Sequence, residues 1–111
     1  MNTAQERFRA FLALQRDDYQ RALPEKLAQL QALWAGLDKD AAPPALSELE
    51  RHAHTLAGTA GTLGFREVGL AAKSLEELLA RAGEGGAALT PGQRSEISLA
   101  LAALQASLPA D

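Results

Sequence analysis

Apolar residues recur along this chain at intervals of three and four positions, the spacing that places them on one face of an α-helix. The first such run follows Thr3 and Glu6, whose S/T-x-x-E spacing is typical of a capping box at a helix N-terminus. Pro24 lacks a backbone N–H, so we expect it to kink or restart this helix. The pattern therefore predicts a short N-terminal helix with three apolar positions, which are Phe8, Phe11 and Leu12.

Four amphipathic helices are predicted after this short segment. The first of them restarts at Pro24 and runs to about Leu37, where the proline-containing loop Asp38–Pro44 begins. The second runs from about Ala45 to Leu63, and the third from Phe65 to Ala82. Each carries apolar positions at the helical period, so each is expected to bury one face against the others.

The last predicted helix has the clearest start signal. It follows a glycine-rich turn at Gly83–Leu89 and is expected to be capped by Thr90, with Pro91 at its first position and Gln93 completing a capping box. Together the four helices supply the predicted inward positions, which are Leu23, Leu27, Leu30, Trp34, Leu37, Leu49, Ala53, Leu56, Ala60, Leu63, Val68, Ala71, Ala72, Leu75, Leu78, Leu79, Ile97, Leu101, Leu104 and Leu108.

The pattern as a whole predicts an all-α fold. No alternating strand pattern, internal repeat or linker separates the helices, so we expect one domain over residues 1–111. Helices of similar length joined by short loops favour an antiparallel four-helix bundle, here preceded by the short extra N-terminal helix. Composition agrees, because the apolar residues are mostly Ala and Leu, and Val68 and Ile97 are the only Val or Ile.

Composition and charge narrow the functional classes. The chain has no cysteine, which excludes disulfides and thiolate metal sites. A net charge of −3 with dispersed cations argues against nucleic-acid binding, which needs a clustered basic face. No signal peptide or membrane-spanning stretch is evident, so we expect a cytoplasmic, monomeric protein that does not enter a membrane. The initiating Met and the complete bundle favour a free-standing protein.

Both histidines lie in the helix predicted at Ala45–Leu63, and their angular positions differ. At about 100° per residue, His54 points about 140° away from the centre of the apolar stripe and should face solvent. His52 lies nearer the edge of that stripe and is expected to be a partly buried residue at the bundle flank. Because the two rings point to nearly opposite sides, they cannot chelate one metal ion, and we predict no metal site.

Two glycines accompany the exposed histidine. A glycine inside a helix costs up to about 1 kcal/mol relative to alanine, so Gly58 and Gly61 need a reason. One interpretation is close packing against another helix. The other is clearance, by which a second protein can bring its own reactive group up to the imidazole of His54. We favour clearance, because both glycines fall on the outward side.

These residues resemble the signature of histidine phosphotransfer (HPt) domains of bacterial phosphorelays. The family pattern is His-x-Leu-Lys-Gly, then five residues, then Gly. This chain matches it at four positions, which are His54, Leu56, Gly58 and Gly64. The similarity continues into Leu70, Ala71 and Ala72 and into the Leu75–Glu76 pair, and the number and order of helices also agree, so it covers essentially the whole chain.

The resemblance implies a phosphocarrier. Neutral imidazole is a good nucleophile near pH 7, so His54 would accept a phosphoryl group from an aspartate of a receiver domain and pass it to another receiver. The implied partners are a response-regulator receiver domain, a hybrid sensor kinase, or both. Phe8, Phe11 and Leu12 could help to form an apolar docking surface, although we expect at least two of them to pack in the core. No cofactor is implied, because the Mg²⁺ and the acidic pocket would belong to the partner.

One position departs from the family pattern. The family has lysine three residues after the histidine, on the same helix face, and this chain has Ala57 there. Arg51, one turn before His54, is the nearest candidate for the missing charge. An equally good interpretation makes Arg51 a solvated surface residue paired with Glu48 or Glu50. The phosphoryl and partner site predicted from the sequence therefore comprises Arg51, Ala57, Gly58 and Gly61 around His54.

Two alternatives to a phosphocarrier stay open. The alanine at position 57 is compatible with an adaptor that keeps the fold and binds a receiver or kinase domain but is not phosphorylated. An enzyme that uses His54 as a general base would need an orienting carboxylate and a cleft, and the sequence predicts neither on this face.

Overall fold

The computed structural model describes residues 3–37, 46–84 and 87–109, and within these ranges the chain forms four α-helices and no strand. The helices are α1 (Ala4–Ala35), α2 (Ser47–Thr62), α3 (Arg66–Glu84) and α4 (Pro91–Ala106). The prediction of an all-α fold is confirmed. The predicted loop at Asp38–Pro44 lies outside the described residues. Gly83 and Glu84, predicted as the start of a turn, extend α3 instead.

The separate N-terminal helix predicted from Pro24 is wrong. α1 continues through Pro24 as one helix of 32 residues. Proline removes one backbone hydrogen bond, to the carbonyl four residues earlier, which here belongs to Gln20. Because Pro24 lies on the exposed side of α1, that carbonyl can be hydrated instead. The residues on either side of Pro24 therefore belong to one element.

Both predicted capping boxes are confirmed. The Thr3 hydroxyl accepts from the Glu6 backbone N–H at 3.1 Å, and the Glu6 carboxylate accepts from the Thr3 N–H. At the start of α4, the Thr90 hydroxyl accepts from the Gln93 N–H at 3.0 Å, and Pro91 occupies the first turn. These starts could be predicted because a cap depends on residues that are only three positions apart.

The core is built from the inward faces of all four helices. Its buried apolar residues are Leu23, Leu27, Leu30, Leu46, Leu49, Ala53, Leu56, Ala60, Phe65, Val68, Ala72, Leu75, Leu79, Ala82, Leu89, Ile97, Leu101 and Leu104. Tyr19 and Trp34 are partly buried against this cluster, as the helical period predicted for Trp34. The Trp34 indole N–H donates to the Ser98 hydroxyl at 3.2 Å. Helix α3 lies between α2 and α4 and contacts both.

The N-terminal half of α1 does not join this core. Phe8 is 59% exposed, Phe11 54%, and Leu12 is also exposed. Core packing, which the helical period predicted for at least two of these three residues, is therefore wrong. The first buried residue of α1 is Leu23, and Phe8, Phe11 and Leu12 form a largely exposed apolar face near the start of the helix. Among the described residues, no helix has the length and apolar character needed to span a membrane.

Candidate functional site

The exposed histidine of α2 is held by a carboxylate from α3. The His54 side chain is 75% exposed, and its Nδ1 lies 2.5 Å from Oε2 of Glu76, whose side chain is only 24% exposed. A carboxylate can only accept a hydrogen bond, so Nδ1 must donate. In the neutral ring the lone pair then lies on Nε2. Among the described residues Nε2 has no hydrogen-bond partner, and the side chain that carries it is largely exposed.

The sequence reasoning missed Glu76 as a site residue and predicted no orienting carboxylate. That expectation is wrong. One signal was available, because Glu76 is an acidic residue directly beside the inward positions Leu75 and Leu79 and is therefore expected to lie at a helix–helix border. Assigning it to His54 required the register between α2 and α3, which no pattern within one helix supplies.

An open groove of about 590 Å³ runs beside His54, so the expectation of no cleft on this face is also wrong. One wall comes from α1 and the other from α2. Its lining consists of Phe11, Leu12 and Gln15 on α1 and of His54, Thr55, Gly58, Thr59, Thr62 and Leu63 on and just after α2. Two exposed apolar residues of α1, Phe11 and Leu12, therefore form part of the surface beside the histidine.

Some glycines of this region border open space, and one allows two helices to pack closely. A Cβ atom added at Gly58 or at Gly61 would meet nothing within 4 Å, so the space outside both residues is open, as the clearance interpretation requires. Close packing occurs at Gly69 of α3 instead. A Cβ there would lie 3.3 Å from the Gly61 nitrogen and 3.5 Å from the Ala57 carbonyl oxygen. The backbone of Gly61 thus also serves packing, which the sequence reasoning had set against clearance.

The turn after α2 explains the last glycine of the motif. Gly64 has φ +88°, a conformation that glycine adopts without strain. Its N–H donates to the Gly61 carbonyl, and the Phe65 N–H donates to the Ala60 carbonyl at 2.8 Å. These two bonds form a Schellman motif, which satisfies the last carbonyls of the helix. Arg16 of α1 adds a bond from its Nε to the Leu63 carbonyl at 2.7 Å.

His52 faces another part of the molecule. Its side chain is 35% exposed, and its Nε2 lies 3.8 Å from Oε1 of Glu48. It lines a cavity of about 150 Å³ between α1 and α2, together with residues that include Tyr19 and Lys26. Burial raises the pKa of the Tyr19 hydroxyl. His52 is thus partly buried at the bundle flank, as predicted, and in the described ranges no group of three or more His, Cys, Asp or Glu residues is placed to hold a metal ion.

A scan against protein-family models matches the Hpt domain over residues 16–107, which is most of the chain. The chain belongs to the Hpt-domain family. Searches of curated proteins and of solved structures found no match. The first 15 residues lie outside the matched range, so Phe11, Leu12 and Gln15 are walls of the groove that the family match does not include.

Membership in the Hpt family implies histidine phosphotransfer in phosphorelays. Hpt domains interact with receiver domains and kinases, and they are phosphotransfer carriers that are generally not enzymes. A histidine hydrogen-bonded to a carboxylate beside a groove would also suit a general base. In this Hpt domain the contact brings together the His54 ring and the Glu76 carboxylate, from two different helices.

Arg51, the candidate for the charge of the missing family lysine, is paired with a carboxylate in this Hpt domain. Ala57 is half-buried and packs against the core. The Arg51 guanidinium lies 3.7 Å from Oε1 of Glu48, which precedes it by three residues on α2. The pairing of Arg51 with Glu48 thus matches the surface-residue interpretation.

Proposed function

We propose that this protein is a stoichiometric phosphocarrier that accepts a phosphoryl group on Nε2 of His54 from a receiver aspartate and passes it to another receiver. The observation that carries the proposal is the hydrogen bond from His54 Nδ1 to Glu76 at 2.5 Å. It engages one ring nitrogen and leaves the other free in an exposed side chain. Gly58 and Gly61 supply the open space through which a receiver approaches.

The transfer balances without any further reactant from this chain. The Nε2 lone pair attacks phosphorus in line with the aspartyl oxygen, the N–P bond forms, and the P–O bond to the aspartyl carboxyl group breaks. The carboxylate leaves with the electron pair. The Nδ1 proton stays in the hydrogen bond to Glu76, whose negative charge balances the positive ring. The onward step is the same reaction in reverse on a second receiver.

The groove beside His54 supports a docking surface for the receiver. Phe11 and Leu12 offer apolar contact area next to the reactive ring, and Gly58 leaves that area unobstructed. Exposed apolar side chains rimmed by polar residues are typical of protein interaction sites. We further propose that the chain acts as a cytoplasmic monomer, as one domain over residues 1–111, with its four helices in antiparallel order.

The experiment is transfer of label from a phosphorylated receiver domain to the purified protein. The proposal predicts label on the wild-type chain that is stable in base and labile in acid, and that chases onto a second receiver. His54→Gln should bind the receiver without taking label. A wild-type protein that takes no base-stable label from any receiver of its host would contradict the proposal.

An unphosphorylated adaptor is the second candidate, and the residue at position 57 is the observation that favours it. Ala57 offers no charge to a phosphoryl group, and Arg51 is engaged with Glu48. The same experiment separates the two functions. An adaptor would bind the receiver with wild-type and His54→Gln chains alike, and neither chain would become labelled.

A further inference from the structure

Phosphorylation of His54 creates an electrostatic problem at this site. A phosphoryl group carries about two negative charges near pH 7. The carboxylate of Glu76 already lies against the same ring. Like charges so close repel each other, and the repulsion is strongest where one of them is half-buried. A nearby cation that is not already paired would stabilise the phosphorylated state.

The register of α2 and α3 identifies which residue lies beside the phosphoryl position. Gly69 of α3 contacts the backbone of Gly61, and Glu76 contacts His54. These contacts are seven positions apart on each helix, and α3 runs opposite to α2 between them. The residue four positions beyond Gly69 therefore lies level with the residue four positions before Gly61. Lys73 is thus opposite Ala57.

The angular position of Lys73 on α3 places it on the exposed side of the contact between α2 and α3. At about 100° per residue, Gly69 and Glu76 share one line along α3, and Lys73 lies about 40° from Gly69. Ala72 lies on the other side of that line and is fully buried, whereas Lys73 is exposed. Lys73 and Glu76 are three residues apart, which corresponds to about 4.5 Å along the α3 axis. The four-carbon stem of a lysine can span that distance.

Lys73 is also available. Within the described ranges it makes no hydrogen bond and no ion pair, although Glu77 follows it by one helical turn. Arg51, by contrast, is engaged by Glu48. An unpaired ammonium group loses no existing partner when it turns to a new anion.

We propose that Lys73 binds the phosphoryl group on His54, so that α3 supplies from across the helix pair the positive charge that Ala57 cannot. This proposal rests on the proposed function. It assigns α3 two roles at the site: Glu76 positions the ring before transfer, and Lys73 neutralises the phosphoryl group after it.

The test measures the equilibrium distribution of label between His54 and a receiver that exchanges label with the wild-type protein. Lys73→Gln should shift the distribution towards the receiver by about twofold to fivefold at low salt, as expected for one exposed ion pair. The shift should shrink at high salt. Lys73→Arg should restore the wild-type distribution. Arg81→Gln is the matched control, because it removes the same charge from α3 about 120° away from the Gly69 line.

A second readout is the ³¹P resonance of phosphohistidine, prepared with the small donor phosphoramidate. It should move in Lys73→Gln and stay unchanged in Arg81→Gln. Wild-type label with neither a changed distribution nor a moved resonance in Lys73→Gln would overturn the role of Lys73 while leaving the proposed function intact. A loss seen in Arg51→Gln instead would assign the charge to Arg51 and also overturn it. No label on the wild-type chain from receiver or phosphoramidate would contradict the proposed function itself.

Discussion

His52 and His54 are two residues apart on one helix, yet they occupy unlike surroundings. His54 contacts α3, where Glu76 engages Nδ1 of a side chain that is 75% exposed. His52 faces α1 across a small cavity lined by Tyr19 and Lys26, and its Nε2 is directed to Glu48 at 3.8 Å. The two histidines differ in which ring nitrogen lies near a carboxylate. They also differ in how much open space surrounds the ring.

Under the proposed function, this contrast indicates that a phosphoacceptor histidine needs more than exposure. The ring needs one nitrogen held by an acceptor, the other free, and space for a second protein domain. Only the His54 side of α2 combines these three features among the described residues. Neighbouring helices, rather than the sequence immediately around each histidine, produce the combination.

Replacing His54 or His52 separately should give the largest difference between the two sides of α2. His54→Gln should abolish base-stable, acid-labile labelling from a phosphorylated receiver without unfolding the bundle, because the lost side chain is solvated. His52→Gln should retain labelling and lose at most a little stability. Labelling that survives His54→Gln, or disappears only in His52→Gln, would reverse the comparison.

Filling the space beside His54 should give the next largest effect. Gly58→Gln should weaken receiver binding by about fivefold to 140-fold, since a steric clash of about 1–3 kcal/mol converts to that range. The helix should be no less stable, because glycine is the poorer helix former. Titration with a receiver domain and thermal unfolding by circular dichroism measure the two quantities.

Gly69→Leu is the matched substitution on the packed side. The Gly61 nitrogen lies 3.3 Å from the place where a Cβ at position 69 would stand. We therefore expect the free energy of unfolding of the Gly69→Leu variant to fall by about 1–3 kcal/mol. Undiminished receiver affinity in a folded Gly58→Gln variant would argue against docking at this face.

Removing the charge of Glu76 should give an intermediate effect. In Glu76→Gln a charge-assisted hydrogen bond to Nδ1 becomes a neutral one, a difference of about 1 kcal/mol, so the labelling rate should fall by about fivefold. Receiver affinity should stay the same, which separates ring positioning from docking. A rate equal to that of the wild-type chain would show that the Glu76 contact does not prepare His54 for attack.

Adding the family lysine should give the smallest effect. Ala57→Lys should stabilise the phosphorylated form by about 0.5–1 kcal/mol at low salt, and by less at high salt. The gain should be larger when Lys73→Gln is also present, because the two lysines would serve the same anion. Equal gains in both backgrounds would mean that Lys73 does not share this role.

Sequence patterns predicted what depends on near neighbours in the chain. The caps at Thr3 and Thr90 and the exposed placement of His54 follow from spacings of three or four residues and from the helical repeat. The same repeat led to a wrong expectation of core packing for Phe8 and Phe11, which are exposed. Periodicity shows that residues share a face, but not whether another helix reaches far enough to cover it.

The part of the site that the sequence did not predict, Glu76, depends on contacts between segments that are distant in the chain. Glu76 meets His54 because Gly69 lets α3 approach the α2 backbone, and that approach fixes the register of the two helices. No periodicity within either helix encodes this register. Pro24 illustrates a similar limit, since its exposed position on α1 let the helix continue where its ring chemistry alone predicted a break.

The proposed function places the phosphoryl group on Nε2 of His54 while Glu76 holds Nδ1. The most direct measurement is NMR of the ¹⁵N-labelled protein after phosphorylation, in which the coupling of ³¹P to a ring nitrogen identifies the bonded atom. The account predicts a one-bond coupling to Nε2 of His54, with Nδ1 still protonated and no coupling in His52. A coupling to Nδ1 of His54, or to either nitrogen of His52, would contradict it.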